Sequence, residues 1–315
     1  MKKVKDFIWK PDMSVEECVN SFNSIGYQAT ELSEAVNVVL KMKKSGSKIF
    51  LTFTSNMVTS GLRGFFAQLC KLKIPNILVT TSGSIEEDIM KSIGEEFQLS
   101  HFYADDTQLH ERGENRIGNL VIRQESYMKF EDLMTKYLEE IYKKKQRISS
   151  SELLYEIGLM LNNENSILYQ ASKNNIPIYC PGIADSAFGF HLFMFQQKHK
   201  DFIVDTIQDM KKAVTDLSFD DKKSLISLGG SISKHYAIFS AMLSGGFDYA
   251  VYLTTSHASS GSLSGATTQE AKSWGKIKDD AEAATVNGDV TITFPLIMTS
   301  VLDKLNKQGF LENGK

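Results

Sequence analysis

Two short apolar runs, each followed directly by small hydroxylated residues, constrain the fold more than any other feature of this chain. Lys48–Thr54 continues into Ser55–Gly61, and Asn76–Thr81 continues into Ser82–Asp88. In both places, an apolar strand is predicted to end where a helix begins. Open parallel sheets are built in this way, and their ligands bind in the crevice at the carboxyl ends of the strands. The two units therefore predict a parallel sheet with a binding edge.

Four later segments repeat the strand pattern and extend the predicted sheet. They are Pro177–Gly182, Ser224–Gly230, Tyr249–Thr255 and Val290–Phe294, and the last is followed by Pro295 and a final helix. Helix-length segments separate most of the apolar runs. Near-continuous apolar strands that alternate with helices indicate a parallel sheet covered on both faces. The predicted fold class is α/β, with helices on both faces of a parallel sheet.

The remaining segments are predicted to be helical or irregular. Residues 1–45 form an N-terminal helical extension, in which Ser14 and Glu17 have the spacing of a capping box. Residues 100–125 are polar and predicted to be irregular, a length that indicates function or a contact surface. Helices are predicted from about Lys129 to Lys145 and from Ser151 to Leu161. Since no internal repeat, low-complexity tract or linker is visible, residues 1–315 are predicted to form a single domain.

Composition excludes several classes of function. The formal net charge of -3 lacks the basic footprint expected of a protein that binds nucleic acid. The three cysteines, Cys18, Cys70 and Cys180, form no CxxC pair, and the six histidines lack zinc-ligand spacing. No apolar run approaches the length of a membrane span, and the first residues lack a signal-peptide core. We therefore expect a cytoplasmic protein without a metal site or a membrane partner.

The predicted strand ends leave two interpretations open. The chain contains neither the Gly-x-Gly-x-x-Gly fingerprint nor the Gly-x-x-x-x-Gly-Lys-Ser/Thr loop, so no motif alone indicates a nucleotide. Yet helices are predicted to begin near Ser55, Thr81, Gly230 and Thr255, where backbone amides could accept a pyrophosphate. Small residues at these places could equally make tight turns.

The segment Thr268–Ile277, Thr-Gln-Glu-Ala-Lys-Ser-Trp-Gly-Lys-Ile, carries the clearest candidate chemistry. If it is helical, Glu270 and Trp274 share one face. A carboxylate and an indole could together hold a cationic amine while Lys276 acts as a nucleophile. The alternative is a solvated lysine beside a packing tryptophan, because most lysines are exposed.

Other candidate residues have equally ordinary alternatives. Glu86, Glu87 and Asp88 open a predicted helix, where acids interact favourably with the macrodipole. Asp185 follows a predicted strand at the binding edge of the sheet. His235 begins the helix after Gly229 and Gly230, and a histidine at such a position is more often a surface residue than a catalyst.

Several segments, taken together and in order, resemble the deoxyhypusine synthase family. These segments are Thr54–Asn56 with Ser60 and Gly61, Thr80 and Thr81 with Gly83 and Glu86–Asp88, Asn115–Asn119, Leu228–Gly230 with Lys234 and His235, and Ser273–Ile277. The Asn-Arg-Ile-Gly-Asn and Ser-Trp-Gly-Lys-Ile segments are the most specific to that family. The likeness extends over about residues 25–302.

The resemblance implies a Rossmann-like domain in a homotetramer, with NAD as cofactor and sites at dimer interfaces. Members oxidise spermidine with NAD, release 1,3-diaminopropane and hold the four-carbon amine as an imine on a lysine. They then transfer it to a lysine of the hypusine-containing translation factor. Lys276 matches the imine-forming lysine, and imine formation requires its amine to be uncharged. Because imidazole titrates near neutrality, His235 is the best candidate for the base that the oxidation requires.

The resemblance also assigns the remaining site residues. Trp274, Glu270 and His235 match positions that line the amine site, and Glu86 and Glu87 match acids near the cofactor and amine. The implied NAD contacts are Ser55, Asn56, Thr59, Thr81, Ser82, Gly83, Asp185, Gly230, Thr255, Ser256 and Asp289.

The sequence departs from the family pattern at two acidic positions. Phe190 and Leu263 stand where the family keeps aspartates that help to anchor the amine. Each loss removes a charge-assisted contact worth roughly 1.5–3 kcal/mol. These losses predict that spermidine is bound differently, more weakly or not at all, so the expected substrate is spermidine or a related amine. Three hypotheses follow: aminobutyl transfer to the translation factor, transfer of an alkylamine group to a small diamine as in homospermidine synthases, or a weakly active regulatory protein that binds NAD.

Overall fold

A computed structural model of the chain describes residues 2–311, which alternate between helices and strands. The helices are α1 Val15–Ser21, α2 Gln28–Lys44, α3 Ser55–Met57, α4 Arg63–Lys71, α5 Ser82–Ser92, α6 Asp106–Glu111, α7 Gln124–Tyr142, α8 Ser150–Leu161, α9 Ile167–Lys173, α10 Ala187–Lys198, α11 Thr206–Thr215, α12 Ser231–Met242, α13 Thr268–Lys272 and α14 Val290–Lys307. The strands are β1 Lys48–Thr52, β2 Ile77–Val79, β3 Gln98–Leu99, β4 Glu114–Ile117, β5 Leu120–Arg123, β6 Arg147–Ser149, β7 Ile178–Tyr179, β8 Ile203–Asp205, β9 Lys223–Leu228, β10 Phe247–Thr254 and β11 Ile277–Asn287. Short 3-10 turns occupy Phe22–Ser24 and Ala258–Ser260, and a π-helical turn occupies Val58–Leu62.

The chain divides into two compact units. The first comprises the chain up to Phe53, Leu72–Val79 and the chain from Met210, and the second comprises Thr54–Lys71 and Thr80–Asp209. The prediction of one domain over residues 1–315 stays a prediction, and each unit is described by itself.

Within the first unit, five parallel strands are hydrogen-bonded in the order β11–β10–β9–β1–β2. The middle strands are apolar, and all six residues of β9 are buried. Helix α12 packs against β1, β2 and β9, whereas α2 packs against β10, β11 and α14. These contacts confirm the prediction of an α/β fold with a parallel sheet flanked by helices. Because the strands are parallel, the carboxyl ends of β9, β10 and β11 lie side by side.

The second unit is built mainly from helices with two small sheets. Helix α8 packs on α9, and α5 contacts both α7 and α10. Strands β3, β5 and β4 form an antiparallel sheet, and β6 pairs with β8 in parallel. None of the helices within residues 2–311 is long and apolar enough to cross a membrane.

Two sequence predictions of local structure are wrong. The predicted strand Val290–Phe294 is instead the start of α14, because the side chain of Asp289 accepts a hydrogen bond from the Thr291 amide at 2.8 Å and caps a helix. Residues 100–125, predicted to be irregular, contain α6 and the β4–β5 hairpin. A two-residue Gly118-Asn119 turn closes that hairpin, and Gly118 supplies the positive φ of 61° that such turns require.

Candidate active site

A tight turn places Lys276 at the start of β11. Thr267 caps α13 by accepting a hydrogen bond from the Glu270 amide at 3.1 Å, and the helix ends at Lys272. The Lys276 amide then donates to the Ala271 carbonyl at 3.1 Å. Gly275 has a φ of 65°, which residues with a Cβ rarely adopt, so the Trp-Gly-Lys order allows the chain to turn directly into the strand.

Glu270, Trp274 and Lys276 line one pocket of the first unit. The Lys276 ammonium lies 4.9 Å from the centre of the Trp274 ring, within the range of a cation–π contact. Trp274 is 64% exposed, so it does not pack in the core as the alternative interpretation required. Helix α13 stops before Trp274, and the turn, rather than a shared helix face, brings the three residues together.

A second lysine, Lys234, lines the same pocket and was assigned no role by sequence reasoning. Its ammonium donates to the carbonyls of Leu263 at 2.9 Å and Ala266 at 3.0 Å, and lies 3.9 Å from the centre of the Tyr252 ring. Only 1% of Lys234 is exposed, and this burial lowers the pKa of its amine to about 8. The sequence feature that could have indicated a role for Lys234 is its position beside His235, early in α12 and just after Gly229 and Gly230.

His235 lies outside the residues that line this pocket. Its side chain is exposed and stacks on Phe239, with ring centres 6.0 Å apart. Its predicted role as a base stays a prediction.

Four of the predicted cofactor contacts lie at the adjacent strand ends of the first unit. They are Gly230, Thr255, Ser256 and Asp289. The Ser256 amide donates to the Thr254 hydroxyl at 3.0 Å, and the Gly288 amide donates to the Thr254 carbonyl at 3.0 Å. These bonds hold the loops after β10 and β11 together.

Gly230 is required by close packing in the same region. A Cβ at Gly230 would lie 2.4 Å from the Cα of Ser264, closer than real contacts allow. The Ser231 amide donates to the Ser264 hydroxyl at 3.2 Å, so the start of α12 is fixed against this loop.

Six other predicted cofactor contacts cluster in the second unit. They are Ser55, Asn56, Thr59, Thr81, Ser82 and Gly83. The Ser55 amide donates to the Thr81 hydroxyl at 3.1 Å, and a Cβ at Gly83 would lie 2.8 Å from that of Ser55. Thr81 makes no side-chain cap to α5, and its carbonyl accepts a hydrogen bond from the Ser84 amide at 3.1 Å. Asp185 is exposed, and its amide donates to the Gly182 carbonyl at 3.2 Å and not to any of these six residues.

The acidic residues of α5 are buried rather than displayed at a helix start. Burial raises the pKa of Glu86, whose carboxylate accepts a hydrogen bond from the Phe188 amide at 2.9 Å. Burial also raises the pKa of Glu87 to about 8, against the opposing effects of Thr59 and Lys91. Asp88 has a structural role, since it pairs with Arg63 at 2.6 Å and accepts from Ser166 at 2.8 Å.

Comparison with known proteins decides the family. The family model described as deoxyhypusine synthase matches residues 17–301. The chain belongs to the deoxyhypusine synthase family. This confirms the resemblance predicted from the Asn115–Asn119 and Ser273–Ile277 segments.

Individual relatives agree with the family assignment. The chain is 36% identical to a "Probable deoxyhypusine synthase" of Thermoplasma acidophilum over 304 residues, which cover 96% of this chain and 97% of the relative. It is 40% identical to another of that name from Sulfurisphaera tokodaii over 279 residues, covering 88% and 89% of the two chains. The activity of this family is that of a transferase in hypusine synthesis, in which the aminobutyl group comes from spermidine.

Solved structures confirm the fold. A deoxyhypusine synthase homologue from Entamoeba histolytica superimposes with a TM-score of 0.68 at 25% identity, covering 95% of this chain and 97% of that one. The ternary complex of AgrE with ornithine and NAD+ gives a TM-score of 0.55 at 13% identity, covering 89% of this chain and 34% of that one. At that identity, the likeness to AgrE shows the fold alone.

Proposed function

We propose that this protein transfers the 4-aminobutyl group of spermidine, through an imine on Lys276, to one lysine of the hypusine-containing translation factor. The observation that carries the proposal is the group formed by Lys276, Trp274 and Glu270 in one pocket, with the Lys276 ammonium 4.9 Å from the indole. A nucleophilic amine, a π-face and a carboxylate are together the groups needed to bind a cationic amine and to attack its carbon chain.

Each residue of the pocket has a distinct proposed task. Glu270 pairs with an ammonium of the donor, and the exposed face of Trp274 covers the donor chain. The uncharged amine of Lys276 adds to the oxidised carbon beside the secondary nitrogen, and 1,3-diaminopropane leaves as the carbon–nitrogen bond of the donor breaks. The acceptor lysine then adds to the Lys276 imine and displaces Lys276, which returns to its free form. The base role of His235 and the contacts of Glu86 and Glu87 are part of this proposal.

For the cofactor we propose NAD, which when bound supplies an acceptor for the hydride that leaves the donor and returns it to the product. In the second unit, Thr81 makes no side-chain cap to α5, so the start of this helix suits a phosphate. In the first unit, the Asp289 carboxylate suits a ribose hydroxyl rather than a phosphate, which it would repel. The amide and the hydroxyl of Thr291 both donate to Oδ1 of Asp289, so neither of these hydrogen bonds occupies Oδ2. The proposed contacts remain those of the family resemblance.

Two further properties come with the proposal. The homotetramer is expected from the family resemblance. The cytoplasmic location is expected from the three cysteines, which form no disulfide. Sedimentation equilibrium would test the oligomeric state, and the expected particle contains four chains of 35.3 kDa.

The second candidate function is transfer of an alkylamine group to a small diamine, as in homospermidine synthases. Leu263 lines the pocket where the family resemblance puts an aspartate, and this difference is the observation that favours a changed amine substrate or acceptor. A protein that only binds NAD and regulates a partner is the third candidate.

Radiolabelled spermidine separates these functions. The protein is incubated with NAD and spermidine labelled in the aminobutyl group, with the translation factor, with putrescine, or with neither. Label on the factor is the expected result. Label on putrescine alone favours the second function, and failure to release 1,3-diaminopropane under every condition contradicts both transfer reactions.

A further inference from the structure

Glu86 and Glu87 are adjacent in α5, but their carboxylates have different surroundings. Both residues are buried, with 7% and 6% of their surface exposed. One oxygen of Glu86 accepts a hydrogen bond from the Phe188 amide at 2.9 Å, at the start of α10. In contrast, Oε2 of Glu87 is buried and has no hydrogen-bond partner among the described residues. The two acids therefore differ in what they can offer to a ligand.

The hydrogen bond from Phe188 makes Glu86 part of the cap of α10. Ser186 is the N-cap residue, and its side chain accepts from the Gly189 amide at 2.8 Å. The Ser186 carbonyl accepts from the Phe190 amide at 3.0 Å. Glu86 supplies the acceptor for the Phe188 amide, one of the first amides that a helix leaves without an internal partner. A carboxylate at this place also interacts favourably with the helix dipole.

The turn before α10 leaves little room for a different position of the helix start. A Cβ at Gly189 would lie 2.4 Å from the Ala184 carbonyl oxygen, so the helix and the turn are in close contact. Phe190 is the next residue, and 56% of it is exposed. The contacts of Glu86 and Gly189 therefore determine where the Phe190 ring is presented.

The start of α10 disfavours an ammonium beside Glu86. The first amides of a helix carry partial positive charge, and here they would repel a cation placed at the carboxylate. The free oxygen of Glu87 is different, because a buried carboxylate oxygen without a partner gains most from a charged donor. Burial raises the pKa of Glu87 to about 8, and a bound ammonium would favour its ionised form. Of the two acids, Glu87 is the one suited to a donor amine.

We propose that Glu86 is a positioning residue for donor binding: its carboxylate holds the start of α10, and Phe190 with it, and does not bind the donor amine. Glu87 keeps the contact with the amine that the proposed function gives it. Phe190 lies where the family resemblance puts an acidic amine anchor, and its ring can instead cover the methylene chain of the donor. The inference rests on the proposed function only for the identity of the donor.

Amide hydrogen exchange tests the positioning role without any amine or cofactor. In Glu86→Ala, the peptide that contains residues 187–190 should exchange roughly two- to thirtyfold faster than in the wild type, the range expected for a lost helix cap. Glu86→Gln keeps an oxygen acceptor and should stay close to the wild type. Glu87→Gln is the matched control and should leave this peptide unchanged. Wild-type exchange of this peptide in folded Glu86→Ala overturns the inference.

Calorimetry of spermidine binding separates the two acids. NADH replaces NAD in this experiment, because it cannot accept the hydride and turnover is prevented. Glu87→Gln should weaken binding by about tenfold or more, the effect of one lost charge-assisted contact. Glu86→Gln should bind with nearly the wild-type dissociation constant, since it loses the charge but keeps α10 capped. A loss in Glu86→Gln as large as that in Glu87→Gln overturns the inference.

Phe190→Ala tests whether Glu86 acts on the donor through α10. If it does, Glu86→Ala should weaken spermidine binding in the wild-type background and add little to Phe190→Ala. Additive losses overturn the route through Phe190. A wild-type protein that binds no spermidine contradicts the proposed function, and amide exchange then still decides whether Glu86 holds α10. Predicted binding in every variant without aminobutyl transfer by the wild type contradicts the proposed function alone.

Discussion

Lys234 and Lys276 line the same pocket, but their surroundings suit them to different tasks. Two carbonyls and the Tyr252 ring occupy the ammonium of Lys234, whereas Lys276 is half-buried beside an exposed indole. A nucleophile must reach its substrate, and a buried ammonium with hydrogen bonds to two carbonyls cannot do so. These different surroundings support Lys276 as the attacking amine and Lys234 as a fixed charge behind it.

The pH dependence of stability provides a test at Glu87. Burial raises the pKa of this carboxyl to about 8 in the folded chain, whereas an unfolded glutamate titrates near 4.3. As the pH rises between these values, the unfolded state releases the proton and the folded state retains it. Wild-type stability should therefore fall over this window, and Glu87→Gln should remove the loss.

Denaturant unfolding of both proteins at pH 5 and pH 9 measures this effect. The difference in the free energy of unfolding between Glu87→Gln and the wild type should change in favour of the variant from pH 5 to pH 9. The expected change is more than about 1.4 kcal/mol, the equivalent of one pKa unit. Glu96→Gln, at an exposed position, controls for the loss of one formal charge. Parallel pH profiles for Glu87→Gln and the wild type would refute the buried-acid assignment.

At the scale of elements, hydrophobic pattern predicted strands β1, β2, β9 and β10, which are buried and apolar. It missed β11, whose sequence Ile-Lys-Asp-Asp-Ala-Glu is charged because this strand lies at the edge of the sheet. It also read the start of α14 as a strand. Thr and Ile at 291–293 favour a strand locally, but the apolar residues through Leu305 recur with helical spacing and are buried.

The start of α14 provides the second test. Asp289→Ala should reduce the free energy of unfolding by about 0.5–2 kcal/mol, because the Thr291 amide loses its cap. Asp289→Asn should stay within a few tenths of a kcal/mol of the wild type, since asparagine caps as well as aspartate. Both are measured by denaturant unfolding without NAD.

Calorimetry of NAD binding to the same two variants separates the cap from the proposed cofactor contact. Asp289→Asn should weaken NAD binding while the helix remains capped. An Asp289→Ala protein as stable as the wild type would contradict the capping role, and unchanged NAD binding in Asp289→Asn would contradict the contact.

At the scale of the whole molecule, the family and the fold class could be predicted from sequence, but much of the site could not. The Ser273–Ile277 segment identified the family, and in the structure Glu270, Trp274 and Lys276 line one pocket, although a turn and not a shared helix face brings them together. The role of Lys234 escaped prediction because its partners are backbone carbonyls more than 25 residues away, which leave no pattern in side-chain identity. The burial of Glu86 and Glu87 escaped it because acids at a helix start are usually solvated.

Chemical trapping of the lysine imine tests the central claim most directly. The protein is incubated with NAD, spermidine and borohydride, digested, and analysed by mass spectrometry. A 4-aminobutyl group on the peptide that contains Lys276 is the predicted result. Lys276→Ala should give no adduct yet retain NAD binding. An adduct on another lysine of the wild-type protein, or transfer of the aminobutyl group by Lys276→Ala, would contradict the mechanism.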